Sequence, residues 1–188
     1  DDDHARAAWS AAAALLRGTA EADISAMLDV ARMLYDGPFV AERAVAFGGF
    51  AARNPGALHP VTQRILDGAA RFSAADAFAA MHELEARRRA AERFFARHDA
   101  LAVPSVPCFP TLAELSADPL GPNARLGTYT NFVNLLDLAA IAVPGPDRPD
   151  GLPAGVTFIG PRGSDAALAA LGAEFMASAT ARSTWVAA

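Results

Sequence analysis

Apolar positions recur at helical spacing through the first half of the chain and gather into short continuous runs in the second. Trp9, Ala12, Leu15 and Leu16 predict a helix over Asp3–Arg17, with Gly18 to close it. From Asp23 to about Phe50 a second pattern runs through Ile24, Met27, Leu28, Met33 and Leu34, and it is interrupted at Gly37-Pro38. Proline lacks an amide hydrogen and its ring crowds the carbonyl four residues back, so a continuous helix is blocked there. The same residue suits the first turn of a new helix. Two helices joined at a break are therefore expected. In the second of them Phe39, Arg43 and Phe47, spaced by four, share one face. Asn54-Pro55-Gly56 predicts a turn, and His59-Pro60 leads into a short helix over Val61–Gly68 with His59 as a surface residue or cap. Ser73 with Asp76 three residues on resembles a capping box opening the longest helix, through about Arg97. Phe78, Met81, Leu84 and Glu85 mark its two faces, and Phe94-Phe95 anchor its end.

The character then changes. Residues 99–104, 138–144 and 155–160 are short apolar runs bounded by proline or glycine, the pattern of buried strands. Four prolines between 104 and 119 predict an extended loop, and Ser164-Asp165 predicts a cap for a final helix to about Ala179. Long helices followed by short strands place the chain in the α/β class, with too few strands for a whole sheet. No internal repeat is present.

At 188 residues, 53% of them hydrophobic, the chain can bury a substantial core and is not of disordered composition. A net charge of -5 gives nucleic-acid binding no support. The triplet Arg87-Arg88-Arg89 lies in a helical segment, where a solvated face is the expected role. The single cysteine, Cys108, excludes an internal disulfide and fits a reducing, cytoplasmic setting. As a nucleophile it would need a histidine that nothing in the sequence nominates. No apolar run is long enough to span a membrane. The four histidines have no spacing that suggests a metal site, and no cofactor is indicated.

Two features carry chemistry. All sixteen basic residues are arginine, so any mechanism needing a lysine must take it from elsewhere. And Arg43, between two phenylalanines, needs a carboxylate, a ligand anion or solvent, because an unpaired buried charge is costly. An internal partner, Asp36 or Glu42, would satisfy it, with Tyr35 then plain core.

Val103-Pro104 after Asp99-Ala-Leu, Ala142-Val143-Pro144, and Asp150-Gly-Leu-Pro-Ala-Gly-Val156 followed by Phe158-Ile-Gly160 resemble the later half of amidase signature enzymes. Leu34-Tyr-Asp-Gly-Pro-Phe-Val-Ala-Glu-Arg43 and Gly121-Pro-Asn-Ala-Arg-Leu-Gly-Thr-Tyr-Thr-Asn-Phe-Val-Asn-Leu-Leu-Asp137 narrow the likeness to the allophanate hydrolases, roughly from Ala5 to Ala179. The resemblance implies the later half of an amidase α/β/α domain, with strands from a mixed sheet, filling 1–188 as part of one domain. It implies hydrolysis of allophanate, in urea or cyanuric acid breakdown, by a serine nucleophile, a second serine as proton relay and a lysine base. Those groups belong to the family's earlier half, and no Gly-Gly-Ser-Ser run or lysine stands here. The chain is thus expected to be inactive alone and to need a partner, the N-terminal half of the domain. An exposed part-sheet of parallel type would leave it poorly soluble. A naturally shortened, non-catalytic binding module and an amidase of another substrate are the alternatives.

What the resemblance carries onto this chain is substrate recognition. Tyr35 and Arg43 match the pair that holds the small anionic substrate, a role for which arginine's planar fork is suited. Thr128, Tyr129 and Asn131 match a loop bordering the pocket, unless they simply bond the loop's own backbone. A homodimer is implied, with no nucleic acid or membrane partner. The sequence departs from the family's commoner pattern at Ala44, where an aromatic often stands, and at Gly145-Pro-Asp-Arg-Pro149.

Overall fold

A computed structural model describes residues 2–180; the side chains of Tyr35, Asp36 and Thr180 lie outside the description. In chain order the elements are α1 (Asp3–Ala13), α2 (Ser25–Asp36), α3 (Val40–Arg53), α4 (Pro60–Asp67) with a 3-10 turn (Gly68–Arg71), α5 (Ala74–Phe95), β1 (Leu101–Pro104), α6 (Leu112–Ala117), α7 (Gly121–Leu126), α8 (Asn131–Leu135), β2 (Ala139–Pro144), β3 (Gly155–Gly160) and α9 (Asp165–Thr180).

The strands form one sheet in the order β1-β3-β2, and both pairings are antiparallel. The three apolar runs thus pair without the parallel-type part-sheet expected above. Those runs report burial on both faces, which a sheet covered by helices imposes whatever its strand direction. The connection from β2 to β3, residues 145–154, is a hairpin. Gly145 donates to the Ala154 carbonyl at 2.8 Å and Arg148 to the Leu152 carbonyl at 3.0 Å, continuing the ladder into the turn. A connection this tight can join only antiparallel neighbours.

Alternation along the strands distributes side chains to two cores. Leu101, Val103 and Ile159 face one side, where they meet Val30 of α2, Leu84 of α5 and Phe132 of α8. Val143, Val156 and Phe158 face the other, against Ala12 of α1 and Leu168 and Phe175 of α9. Three layers result, helices on both faces of a central sheet. β3 is buried from Val156 to Gly160, as its central position requires.

Several predicted boundaries hold, for identifiable reasons. Ser73 accepts from the Asp76 amide at 3.1 Å and Asp76 accepts from the Ser73 amide at 2.8 Å, so the box starting α5 is complete. His59 Nδ1 accepts from the Val61 amide at 3.3 Å and caps α4. Gly56 at φ 82, after Pro55, turns the chain between α3 and α4, and the Ala57 amide closes the turn on the Asn54 carbonyl. Phe94 and Phe95 both pack on the first core.

Others need correction. α1 stops at Ala13 rather than Arg17, although Leu15 and Leu16 still reach the second core from the turn that follows. The proline-rich loop contains a short helix, α6, begun by a capping box between Thr111 and Glu114. The segment before β2 is helical twice, in α7 and α8. The Ser164 hydroxyl turns back to donate to the Pro161 carbonyl at 2.7 Å, so it is not simply a forward-facing cap. The arginine triplet is only partly a solvated face. Arg88 donates from Nε to the Leu135 carbonyl at 2.9 Å, tying α5 to the end of α8, and Arg87 lies 4.0 Å from Asp29 of α2.

Candidate functional site

The break between α2 and α3 forms as the sequence requires. The Gly37 amide donates to the Met33 carbonyl at 3.1 Å and closes α2. Gly37 then turns to ψ 176 and leads the chain out of the helical path. Pro38 and Phe39 make the first turn of the next segment, their carbonyls accepting from Ala41 at 2.9 Å and Glu42 at 3.3 Å. α3 proper begins at Val40, two residues later than a helix opened by Pro38 itself.

The two sides of the break differ in burial. On α2, Val30 is fully buried, Met27 and Ala31 nearly so, and the helix packs along α8. On α3 only Val40 is buried, while Val45, Phe47 and Phe50 are exposed. Arg43 is half-buried one turn into α3, and Phe39 reaches the first core at the helix entrance. The expected apolar face is therefore split: Phe39 packs inward and Phe47, 58% exposed, does not. Tyr35 occupies the last turn of α2, and its side chain lies outside the described residues.

The second group of candidates sits at the start of α8. Asn131 is its first residue, its amide bonded to the Gly127 carbonyl at 2.8 Å. Thr128 donates its hydroxyl to the Arg125 carbonyl at 2.7 Å, the local backbone role that the sequence left open. Tyr129 is half-buried and packs against the first core. These residues belong to a turn and a helix start, not to an irregular loop. Because α8 packs on α2, both candidate groups hang on the same helix pair.

A charged cluster elsewhere escaped sequence reasoning. Arg148 has a side chain only 3% exposed. It donates from Nε to Asp150 at 3.0 Å, from one terminal nitrogen to Asp150 at 2.6 Å, and from the other to Asp2 at 2.7 Å. Its guanidinium carbon lies 4.4 Å from the centre of the Phe109 ring. The hydrogen bond from Arg148 draws the Asp150 carboxyl down to about 2, and the same kind of bond lowers that of Asp2. The pKa of Arg148 is in turn raised, first by its bond to Asp150, so the guanidinium holds its proton more tightly. The only signal in the sequence is the departure at Gly145–Pro149, which gives no hint of a partner 146 positions away.

Beside this cluster lies a cavity of about 20 Å³ bordered by Trp9, Val106, Phe109, Pro146 and Arg148. That is room for one water molecule and far below the roughly 300 Å³ of an ordinary ligand pocket. With its guanidinium already bonded to two carboxylates, Arg148 is a structural clamp. Among the described residues no group of three histidine, cysteine or acidic side chains could hold a metal. Cys108 is half-buried in the loop after β1.

The chain matches the Amidase family over residues 12–169. It belongs to the amidase family. Urea amidolyase of Lachancea kluyveri is 43% identical over 148 residues, which cover 78% of this chain and 8% of that protein. Urea amidolyase of Saccharomyces cerevisiae is 41% identical over 150 residues, 79% of this chain and 8% of that one. Allophanate hydrolase of Kluyveromyces lactis superimposes with a TM-score of 0.90 at 38% identity, covering 97% of this chain and 31% of its own. The chain thus spans less than a tenth of those urea amidolyases and under a third of that solved hydrolase chain. Its α/β layering is the architecture of an amidase-domain segment. No helix among the described residues is long and apolar enough to cross a membrane.

Proposed function

We propose that this chain is the substrate-recognition part of an allophanate hydrolase, with Tyr35 and Arg43 holding the substrate on either side of the α2–α3 break. The observation that carries this reading is the superposition on Kluyveromyces lactis allophanate hydrolase over 97% of the chain. The break itself adds support, because it sets half-buried Arg43 one turn into α3, just after the helix whose last turn contains Tyr35. Allophanate, a carboxylate joined to a ureido group, offers a planar anionic end to a guanidinium and hydrogen-bonding groups to a phenol. Thr128 and Tyr129, on the α7–α8 turn, and Asn131, the first residue of α8, border the same pocket in this reading.

The reaction is hydrolysis of allophanate to ammonia and carbon dioxide. A serine nucleophile with a lysine base needs groups that this chain does not contain, since it has no lysine. The nucleophile, its base and the donors for the developing oxyanion come from the N-terminal half of the amidase domain, the partner that completes the site. The intact enzyme works in the cytoplasm as a homodimer.

Arg43→Ala in the intact hydrolase that carries this segment tests the assignment. Loss of a charge-assisted paired contact costs on the order of 2–4 kcal/mol. Steady-state kinetics then show KM for allophanate raised roughly 30-fold or more, with kcat less affected. Unchanged KM and kcat in a folded variant would refute the reading.

A further inference from the structure

Gly37 joins the two helices that carry the proposed recognition pair, and its surroundings are unlike those of the other described glycines. A Cβ built there would stand 2.6 Å from the Met33 carbonyl oxygen. At Gly121, Gly127, Gly155, Gly160 and Gly172 the nearest obstacle under 3.0 Å is a side-chain atom rather than backbone. At Gly37 it is backbone, and it is the same oxygen that accepts the bond closing α2. The glycine's φ of -97 is open to any residue, so the restriction is steric contact alone.

We infer that Gly37 is a positioning residue for substrate recognition, fixing how far Arg43 stands from the end of α2. The inference rests on the proposed role of Tyr35 and Arg43. A methyl group at 37 can be accommodated only by rotating the chain at the junction. Pro38 resists that rotation on one side, because its ring fixes φ. α2 resists on the other, held by fully buried Val30 and by its packing on α8. α3 is the less buried of the two helices, with Val45 87% exposed and Val40 its one buried residue, and its packing is on α4 and the 3-10 turn, so it is the side that shifts. Arg43 is the fourth residue of α3, so the displacement falls on it.

The test is steady-state kinetics on allophanate in the intact hydrolase, with Gly37→Ala, Arg43→Ala, the double variant, and Gly48→Ala as control. A Cβ at Gly48, also in α3, meets nothing within 4 Å, so that variant keeps the parent KM. Gly37→Ala raises KM about tenfold or more while kcat changes less, since a displacement near 1 Å suffices to weaken an oriented contact. In the Arg43→Ala background the same change adds little, because the group it positions is already gone. A purely structural role would instead multiply the two effects. If Gly37→Ala does not give folded protein, Pro38→Gly loosens the same junction without a new Cβ, and its raised KM likewise vanishes with Arg43→Ala. A raised KM in Arg43→Ala, with Gly37→Ala or its substitute at the parent value or multiplying, overturns the positioning role alone. An unchanged KM in Arg43→Ala overturns the recognition reading beneath it.

Discussion

Arg148 shows how a single side chain fixes two remote parts of the chain. Its two carboxylate partners are not equivalent: Asp150 holds the hairpin turn, and Asp2 caps α1 by accepting from the His4 amide at 2.9 Å. Removing the guanidinium leaves both acids close together and the Phe109 ring uncovered. Arg148→Met is expected to destabilise the intact protein by about 2–4 kcal/mol, toward the low side of a broken buried pair because the acids keep partial solvent access. Denaturant unfolding of the variant against the parent measures this. The same cluster sets a pH dependence. Asp150 falls from an ordinary 3.8 to about 2 through its bond to Arg148, and Asp2 is lowered as well. A depressed carboxyl contributes stability above the unfolded value and loses it as pH falls, so the contribution disappears between about pH 4 and pH 2. In Arg148→Met the acid-side slope over that interval flattens. Equilibrium unfolding at stepped pH reads it, and an unchanged slope would show that the bonds to Arg148 do not lower these acids.

Among elements, legibility followed length. α2, α3 and α5 have 12, 14 and 22 residues, long enough to display a helical period, and their positions were readable to within a few residues. α6, α7 and α8 have 5 or 6 residues, less than two turns, too short to show one. Thr111 and Glu114 did carry a local start signal for α6, hidden by the prolines around it. Strand positions were legible from apolar runs, while strand direction was not, because it depends on hydrogen-bonding partners that a run of Val and Ile does not specify. Of the site candidates, Arg43 stands half-buried on a face of which Phe39 packs inward and Phe47 does not, and Thr128 bonds its own turn, a role the sequence had left open. The α2–α8 contact is the element-level feature on which the proposed site depends. Phe132 of α8 is fully buried in the first core with Val30. Phe132→Ala is expected to cost about 3–5 kcal/mol. Denaturant unfolding checks the figure, and a cost below about 1 kcal/mol would mean that α8 is not held by that contact.

For the molecule as a whole, helices cover both faces of the small sheet and two cores lie against it, and no lysine stands anywhere in its sequence. Amidase membership rests on residues 12–169 and the likeness to allophanate hydrolase on 97% of the chain, whereas the proposed recognition role concerns one helix break. The purified chain alone is expected to show no turnover of allophanate, because it brings no lysine base. Hydrolysis above the uncatalysed rate, tracked by ammonia release, would mean that a different catalytic set operates. The most direct measurement places this chain where its relative has the matching segment. A chimera in which it replaces the superimposable 31% of Kluyveromyces lactis allophanate hydrolase is assayed for allophanate hydrolysis, alongside the same chimera with Arg43→Ala. The chimera, once shown to unfold cooperatively, is expected to release ammonia from allophanate, and Arg43→Ala to raise its KM roughly 30-fold or more. A cooperatively folded chimera that leaves allophanate intact, or one indifferent to the loss of Arg43, would contradict the proposed role.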